Sequence, residues 1–165
     1  IWRNRSERGI ILFDEFAKQL KFDNVLESVE FYYQAIRKQN GAIGIILQSI
    51  NQLPNNSTSA SILENTQVIY SLRNEKGYEE LQKRLNLSSH DLNQLKSIRN
   101  NLTGGRKYTE MFIKIGKESN IFRLEVPKEV YAAYLTDGKE SEAIMQLFEE
   151  HNSMEKAIQL FIKQS

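Results

Sequence analysis

Gly9 is followed by an unbroken apolar row, Ile10-Ile11-Leu12-Phe13, that stops at two adjacent carboxylates, Asp14 and Glu15. A row without polar alternation suits a parallel strand buried on both faces. A parallel strand in turn obliges a crossover of a dozen or more residues before its neighbour can pair. Open α/β sheets bind their ligands beyond the carboxyl ends of such strands, which is where this row places its acidic pair.

The residues after Glu15 supply the crossover. Val25, Val29, Tyr32, Tyr33 and Ile36 recur at helical spacing, and Lys38-Gln39-Asn40-Gly41 ends the pattern with basic residues and a glycine expected to cap the helix. Ala42 to Leu47 is a second apolar stretch, followed by Gln48 and Ser49 at its carboxyl end. Strand, helix, strand over this length predicts a βαβ unit with parallel strands. Ser49 to Leu53 can open a further helix, and Pro54 to Ser59 reads as a polar loop. Val68 to Leu72 predicts a third strand, and helices fit Gly77 to Leu85 and Ser89 to Arg99, the second capped by Ser89 with Asp91 in its first turn. Thr103-Gly104-Gly105-Arg106 turns the chain into a hairpin of Met111 to Ile115 and Ile121 to Val126, closed by Pro127. Two amphipathic helices end the sequence, one lined by Ala143, Ile144, Leu147 and Phe148, the other by Met154, Ala157, Ile158 and Phe161.

Composition narrows the chemistry. The 22 basic and 21 acidic residues leave a net charge of +1, without the concentrated positive field of a dedicated nucleic-acid binder. Arg3, Arg5 and Arg8 form a local excess that reads as a solvated approach to the first strand. The absence of cysteine rules out disulfides and thiolate metal sites and fits a reducing compartment. His90 and His151 are too few and too scattered for a metal centre. No apolar run is long enough to span a membrane. The chain opens Ile1-Trp2-Arg3 and holds no G-x-x-x-x-G-K-[ST] loop, so it is expected to be the later part of a longer polypeptide.

Four features, in order, carry a family resemblance. They are the Asp14-Glu15 strand end, the Ala35-to-Gly41 helix end, the Ile45-to-Leu53 strand-to-helix turn, and a late block from Ser71-Leu72-Arg73-Asn74 through Gly105-Arg106-Lys107 and the hairpin to Pro127. Together they resemble the C-terminal part of the ATPases of conjugation and type IV secretion, the TraG-type group in particular. The resemblance covers nearly the whole chain. It implies a RecA-like P-loop core, α/β in class, over residues 1–126 and a helical C-terminal appendage over 127–165. The acidic pair then corresponds to a Walker B segment. Asp14 would hold magnesium through water, Glu15 would polarise the attacking water, and Gln48 would contact either the terminal phosphate of ATP or the attacking water. Phe16 matches the family's aromatic after the acidic pair, whereas Leu47 stands where a threonine is common. The implied setting is an oligomeric ring working with other secretion subunits at the cytoplasmic face of the bacterial inner membrane. ATP hydrolysis would there drive DNA or protein transfer or pilus assembly.

Arg73, Arg99 and Arg106 are candidates for stabilising phosphoryl charge across a subunit interface, Arg106 foremost because Gly104-Gly105 lets the backbone project it. Each also fits an ordinary surface ion pair. Arg37 and Lys38 suit a helix carboxyl end, and Tyr32 and Tyr33 suit packing. Phosphoryl transfer needs a phosphate cradle as well as carboxylates, so these residues alone are not expected to turn over ATP. The competing reading is a non-catalytic protein-interaction module, with the acidic pair at the amino end of a helix and the late helices as its docking surface.

Overall fold

The structure, a computed structural model, describes residues 7–22, 24–101, 107–136 and 138–164. It is α/β, with a parallel pair of strands, an antiparallel sheet and eight α-helices among the described residues. The chain divides into two compact units, Ile1–Arg99 with Glu110–Phe122, and Asn100–Thr109 with Arg123–Ser165.

In the first unit β1 (Gly9–Phe13) and β2 (Gly41–Ile45) pair in parallel, Gly9 opposite Gly41 and Phe13 opposite Ile45. The crossover between them contains α1 (Phe16–Gln19), α2 (Val25–Ala35) and a 3-10 turn, Ile36–Gln39. Phe16, Val29, Leu53 and Ile62 are buried together, and Phe13, Tyr33, Ile43, Ile45 and Leu47 pack on them. Among the described residues β1 is covered on one face: Ile11 and Phe13 turn inward, while Ile10 and Leu12 are 72% and 64% exposed. The expectation of burial on both faces is therefore corrected. An apolar row reports that both faces can be buried, and here the surrounding helices pack on one.

Several local endings also differ from expectation. The helix preceding β2 is closed by Asn40 in the left-handed region (φ 54), not by Gly41, which opens β2. Gly41 is needed for space, because a Cβ there would come within 2.6 Å of Ile36 Cγ1. The predicted loop over Pro54 to Ser59 is half helix. Asn56 accepts a hydrogen bond from the Ser59 N–H at 2.9 Å and caps α3 (Ser57–Glu64), so the polar residues there form a first helical turn. Ser49 likewise caps a 3-10 turn, Ile50–Gln52.

β3 (Val68–Ser71) pairs antiparallel with β5 (Tyr108–Ile115), Tyr70 opposite Ile113. β5 also pairs with the short β4 (Asn100–Asn101) and with β6 (Glu118–Leu124), reached through a turn in which Gly116 has φ 57. Helices α4 (Tyr78–Leu85) and α5 (Ser89–Ser97) pack on this sheet around Tyr78, Leu87, Leu95, Ile98 and Phe112. The cap of α5 is Ser88, one residue earlier than expected, in a reciprocal box with Asp91.

Asp91 is 3% exposed, and its carboxylate is nonetheless fully engaged. It accepts from the Ser88 N–H at 2.9 Å, the Ser88 hydroxyl at 2.9 Å, the Ser119 hydroxyl at 2.5 Å and the Lys114 ammonium at 3.2 Å. Burial alone would raise its pKa. The hydrogen bonds from Ser119, Ser88 and Lys114 outweigh that and hold it well below the usual carboxylate range. One side chain thereby ties the start of α5 to both strands of the hairpin.

The second unit is built on α6 (Lys128–Ala133), α7 (Gly138–His151) and α8 (Met154–Gln164). Ala132, Ile144 and Ala157 are buried at its centre, surrounded by Leu135, Leu147, Phe148, Ile158 and Phe161. The apolar spacing of the last two helices thus marks the faces they bury, with the exception of Met154, which is exposed. Lys107 donates to the Tyr131 hydroxyl at 2.9 Å and to Glu140 at 3.2 Å, and the Tyr131 hydroxyl donates to Glu140 at 3.0 Å, joining the start of β5 to α6 and α7.

Candidate functional site

The carboxyl ends of β1 and β2 meet through a single residue, Ile46. Its N–H donates to the Phe13 carbonyl at 2.9 Å and its carbonyl accepts from the Phe16 N–H at 3.1 Å, so the parallel ladder continues past both strands and brackets Asp14 and Glu15. Phe16 is fully buried and packs edge-on against Phe13 at 5.9 Å between ring centres. Anchored at both ring and N–H, it pulls the chain inward directly after the acidic pair. To make that turn Glu15 takes the left-handed conformation (φ 47, ψ 43), a strained state for a residue with a Cβ. The buried aromatic thus turns both carboxylates outward at the strand end.

Asp14 and Glu15 are both exposed. The Asp14 Oδ1 accepts the Glu15 N–H at 2.8 Å, and the Asp14 carbonyl accepts from the Gln19 amide at 3.1 Å. Glu15 forms an ion pair with Lys18 across the first turn of α1. The acidic pair therefore lies at a strand end and at the amino end of a helix. That helix has only four residues, so the dipole it offers is small.

Gln48 lies three residues beyond Ile45 and is exposed, with its main chain fixed at both polar atoms. Its N–H donates to Gln52 Oε1 at 2.9 Å, and its carbonyl accepts from Asn74 Nδ2 at 3.2 Å. The rest of the loop is held by Arg84, whose guanidinium donates to the carbonyls of Ile50 at 2.8 Å, Leu53 at 2.9 Å and Pro54 at 3.1 Å. A planar fork with several donors suits three converging carbonyls better than an ammonium would. Asp14, Glu15 and Gln48 consequently share one end of the parallel pair.

The candidate arginines fare differently. Arg73 is bound to Glu75, with Nε 3.0 Å from Oε1, and this hydrogen bond raises its pKa. Arg99 is exposed, and its main-chain N–H donates to Glu110 Oε2 at 2.8 Å. Arg106, with Gly104 and Gly105, lies outside the described residues, as do Arg3 and Arg5. Among the described residues no group of three or more His, Asp or Glu side chains forms a metal cluster. No helix among them is long and apolar enough to cross a membrane.

Asn74, Gln52 and Arg84 carry contacts that sequence reasoning did not assign. The Ser49-x-x-Gln52 spacing is a capping-box pattern and could have revealed Gln52. Arg84 reaches carbonyls 30 to 34 positions earlier in the chain, a pairing without a local signal.

Over its whole length, residues 1–165, the sequence matches the model of a protein family described as the TraG P-loop domain. No curated protein matches it.

Proposed function

Because the chain belongs to the TraG P-loop domain family, a conjugation-related group of P-loop ATPases, we propose that it supplies the carboxylate and glutamine side of an ATP-hydrolysing site. In this reading hydrolysis is coupled to the transfer of DNA or protein, or to pilus assembly. The observation that supports it most is the Ile46 ladder, which brackets Asp14 and Glu15 at the carboxyl end of the parallel pair, two residues before Gln48.

Magnesium with ATP would supply a polarised terminal phosphate and neutralise its charge. The donors present fit that ion, which takes hard oxygen ligands and keeps several of its waters. Asp14 is exposed, and the hydrogen bond from the Glu15 N–H engages its Oδ1 and orients the carboxylate. Glu15, exposed on its left-handed turn, accepts the proton of an attacking water. Gln48 orients that water or the terminal phosphate through its side-chain amide, because its own backbone groups are already engaged. Phe16 fixes the direction in which both carboxylates point. The phosphate cradle, absent from these 165 residues, comes from another part of the working assembly. Charge stabilisation by Arg106 on a neighbouring subunit's nucleotide belongs to the same reading, as does action of a ring of subunits at the inner membrane.

Asp14→Asn tests the metal role without disturbing the turn, because an asparagine Oδ1 still accepts the Glu15 N–H. In the full-length protein this variant is expected to bind nucleotide about tenfold more weakly in magnesium and to lose the difference between magnesium and chelator. Titration of a fluorescent ATP analogue with and without magnesium reads both quantities. An unchanged magnesium dependence would reduce Asp14 to a turn residue.

A further inference from the structure

Among the described site residues, Gln48 is the one whose carbonyl is gripped by a side chain from beyond another strand's end, and the main chain of that gripping residue is itself held in place. Asn74 follows β3, whose pairing partner is β5 of the antiparallel sheet, not either strand of the parallel pair. Its Nδ2 donates to the Gln48 carbonyl at 3.2 Å. Its own N–H donates to the Tyr78 hydroxyl at 2.9 Å, and its carbonyl accepts the Gly77 N–H at 3.0 Å. Tyr78 is 4% exposed and belongs to the core beneath the antiparallel sheet. Gly77 leaves room for the amide, since a Cβ there would lie 3.1 Å from Asn74 Nδ2.

We propose that Asn74 is a positioning residue for Gln48, locating the glutamine at the nucleotide site by reference to the core under the antiparallel sheet. The inference rests on the proposed role of Gln48. The Gln48 N–H is held locally, by Gln52 four residues on, and Arg84 fixes the loop only at Ile50, Leu53 and Pro54, which leaves Gln48 itself room to shift. The Asn74 contact spans 26 positions and removes that freedom. Displacing a catalytic group by about 1 Å costs up to about 100-fold in rate, so a single bond that prevents the shift has a measurable kinetic role. The contact also makes the Gln48 position sensitive to any shift of β3 against β2.

The test is a double-mutant cycle in the full-length protein, with turnover and amide hydrogen exchange measured together. Asn74→Ala removes the donor and leaves the main-chain bond to Tyr78. It is expected to lower kcat about tenfold, to leave KM for ATP within about twofold, and to speed exchange of the Gln48 amide. Gln48→Ala alone should be slower still, and adding Asn74→Ala to it should slow it no further. Asn74→Asp, which keeps the size but sets an oxygen against the Gln48 carbonyl, should match Asn74→Ala. If the two losses multiply, or if Asn74→Ala keeps full turnover and unaltered exchange, the positioning role is overturned while Gln48 keeps its assignment. Full activity of Gln48→Ala overturns the assignment of Gln48 and the role of Asn74 with it.

Discussion

Glu15→Gln in the full-length protein is expected to lower ATP turnover by at least about 100-fold while nucleotide affinity stays within about twofold. Glutamine has nearly the same size and can follow the same left-handed turn, so Phe16 remains seated and Asp14 keeps its hydrogen bond to the following N–H. What disappears is the negative charge that takes a proton from water. The variant also loses the Glu15–Lys18 ion pair, but both partners are more than half exposed, and such pairs contribute between about 0 and 1 kcal/mol. Fold stability therefore does not confuse the result. Steady-state turnover alongside equilibrium nucleotide binding separates the roles. If Glu15 merely favours the amino end of α1, the variant loses a few tenths of a kcal/mol and keeps its activity.

The largest effect on stability is expected at Asp91, remote from the acidic pair. Asp91→Ala removes the acceptor shared by Ser88, Ser119 and Lys114, and leaves an ammonium whose side chain is 17% exposed without its partner. Breaking one side of a buried ion pair costs about 3 to 5 kcal/mol, which for a domain of this size lowers the melting temperature by roughly 10 °C. Asp91→Asn should lose less, because it retains an acceptor oxygen. The pH dependence has a definite sign. A carboxylate whose pKa is depressed in the folded state adds stability above its unfolded value of about 3.9 and loses that contribution as pH falls below it. The gap in stability between native protein and Asp91→Ala should thus be full at pH 7 and shrink progressively below about pH 4. Urea unfolding of both proteins over this range checks the sign and the size. A gap that widens in acid, or is absent at pH 7, contradicts the role given to this carboxylate.

The parallel pair and its carboxyl-end residues were legible because apolar rows with polar stops are local patterns. Which faces of β1 are covered was not legible, since Ile10 and Leu12 look the same in sequence whether or not anything packs on them. Helix endings failed by one residue where two similar residues competed: Asn40 took the left-handed position beside Gly41, and Ser88 capped α5 beside Ser89. Composition also misled at Pro54 to Ser59, because the residues that favour turns are those that favour the first turn of a helix. The left-handed Glu15 was hidden for a different reason. Its conformation follows from the burial of Phe16 and the bond of its N–H to Ile46, thirty residues later and just past β2, which no local rule encodes. The bonds that hold the Gln48 loop from Asn74 and Arg84 are long-range in the same sense.

In the proposed site Asp14, Glu15 and Gln48 face one metal-bound nucleotide. Manganese in place of magnesium tests it most directly, because a paramagnetic ion broadens the amide signals of residues around it. In the full-length protein with a non-hydrolysable ATP analogue, manganese is expected to erase the signals of Asp14, Glu15 and Gln48 together, and Asp14→Asn should restore them. Persistence of all three signals while those of another region are lost would place the nucleotide elsewhere and contradict the account.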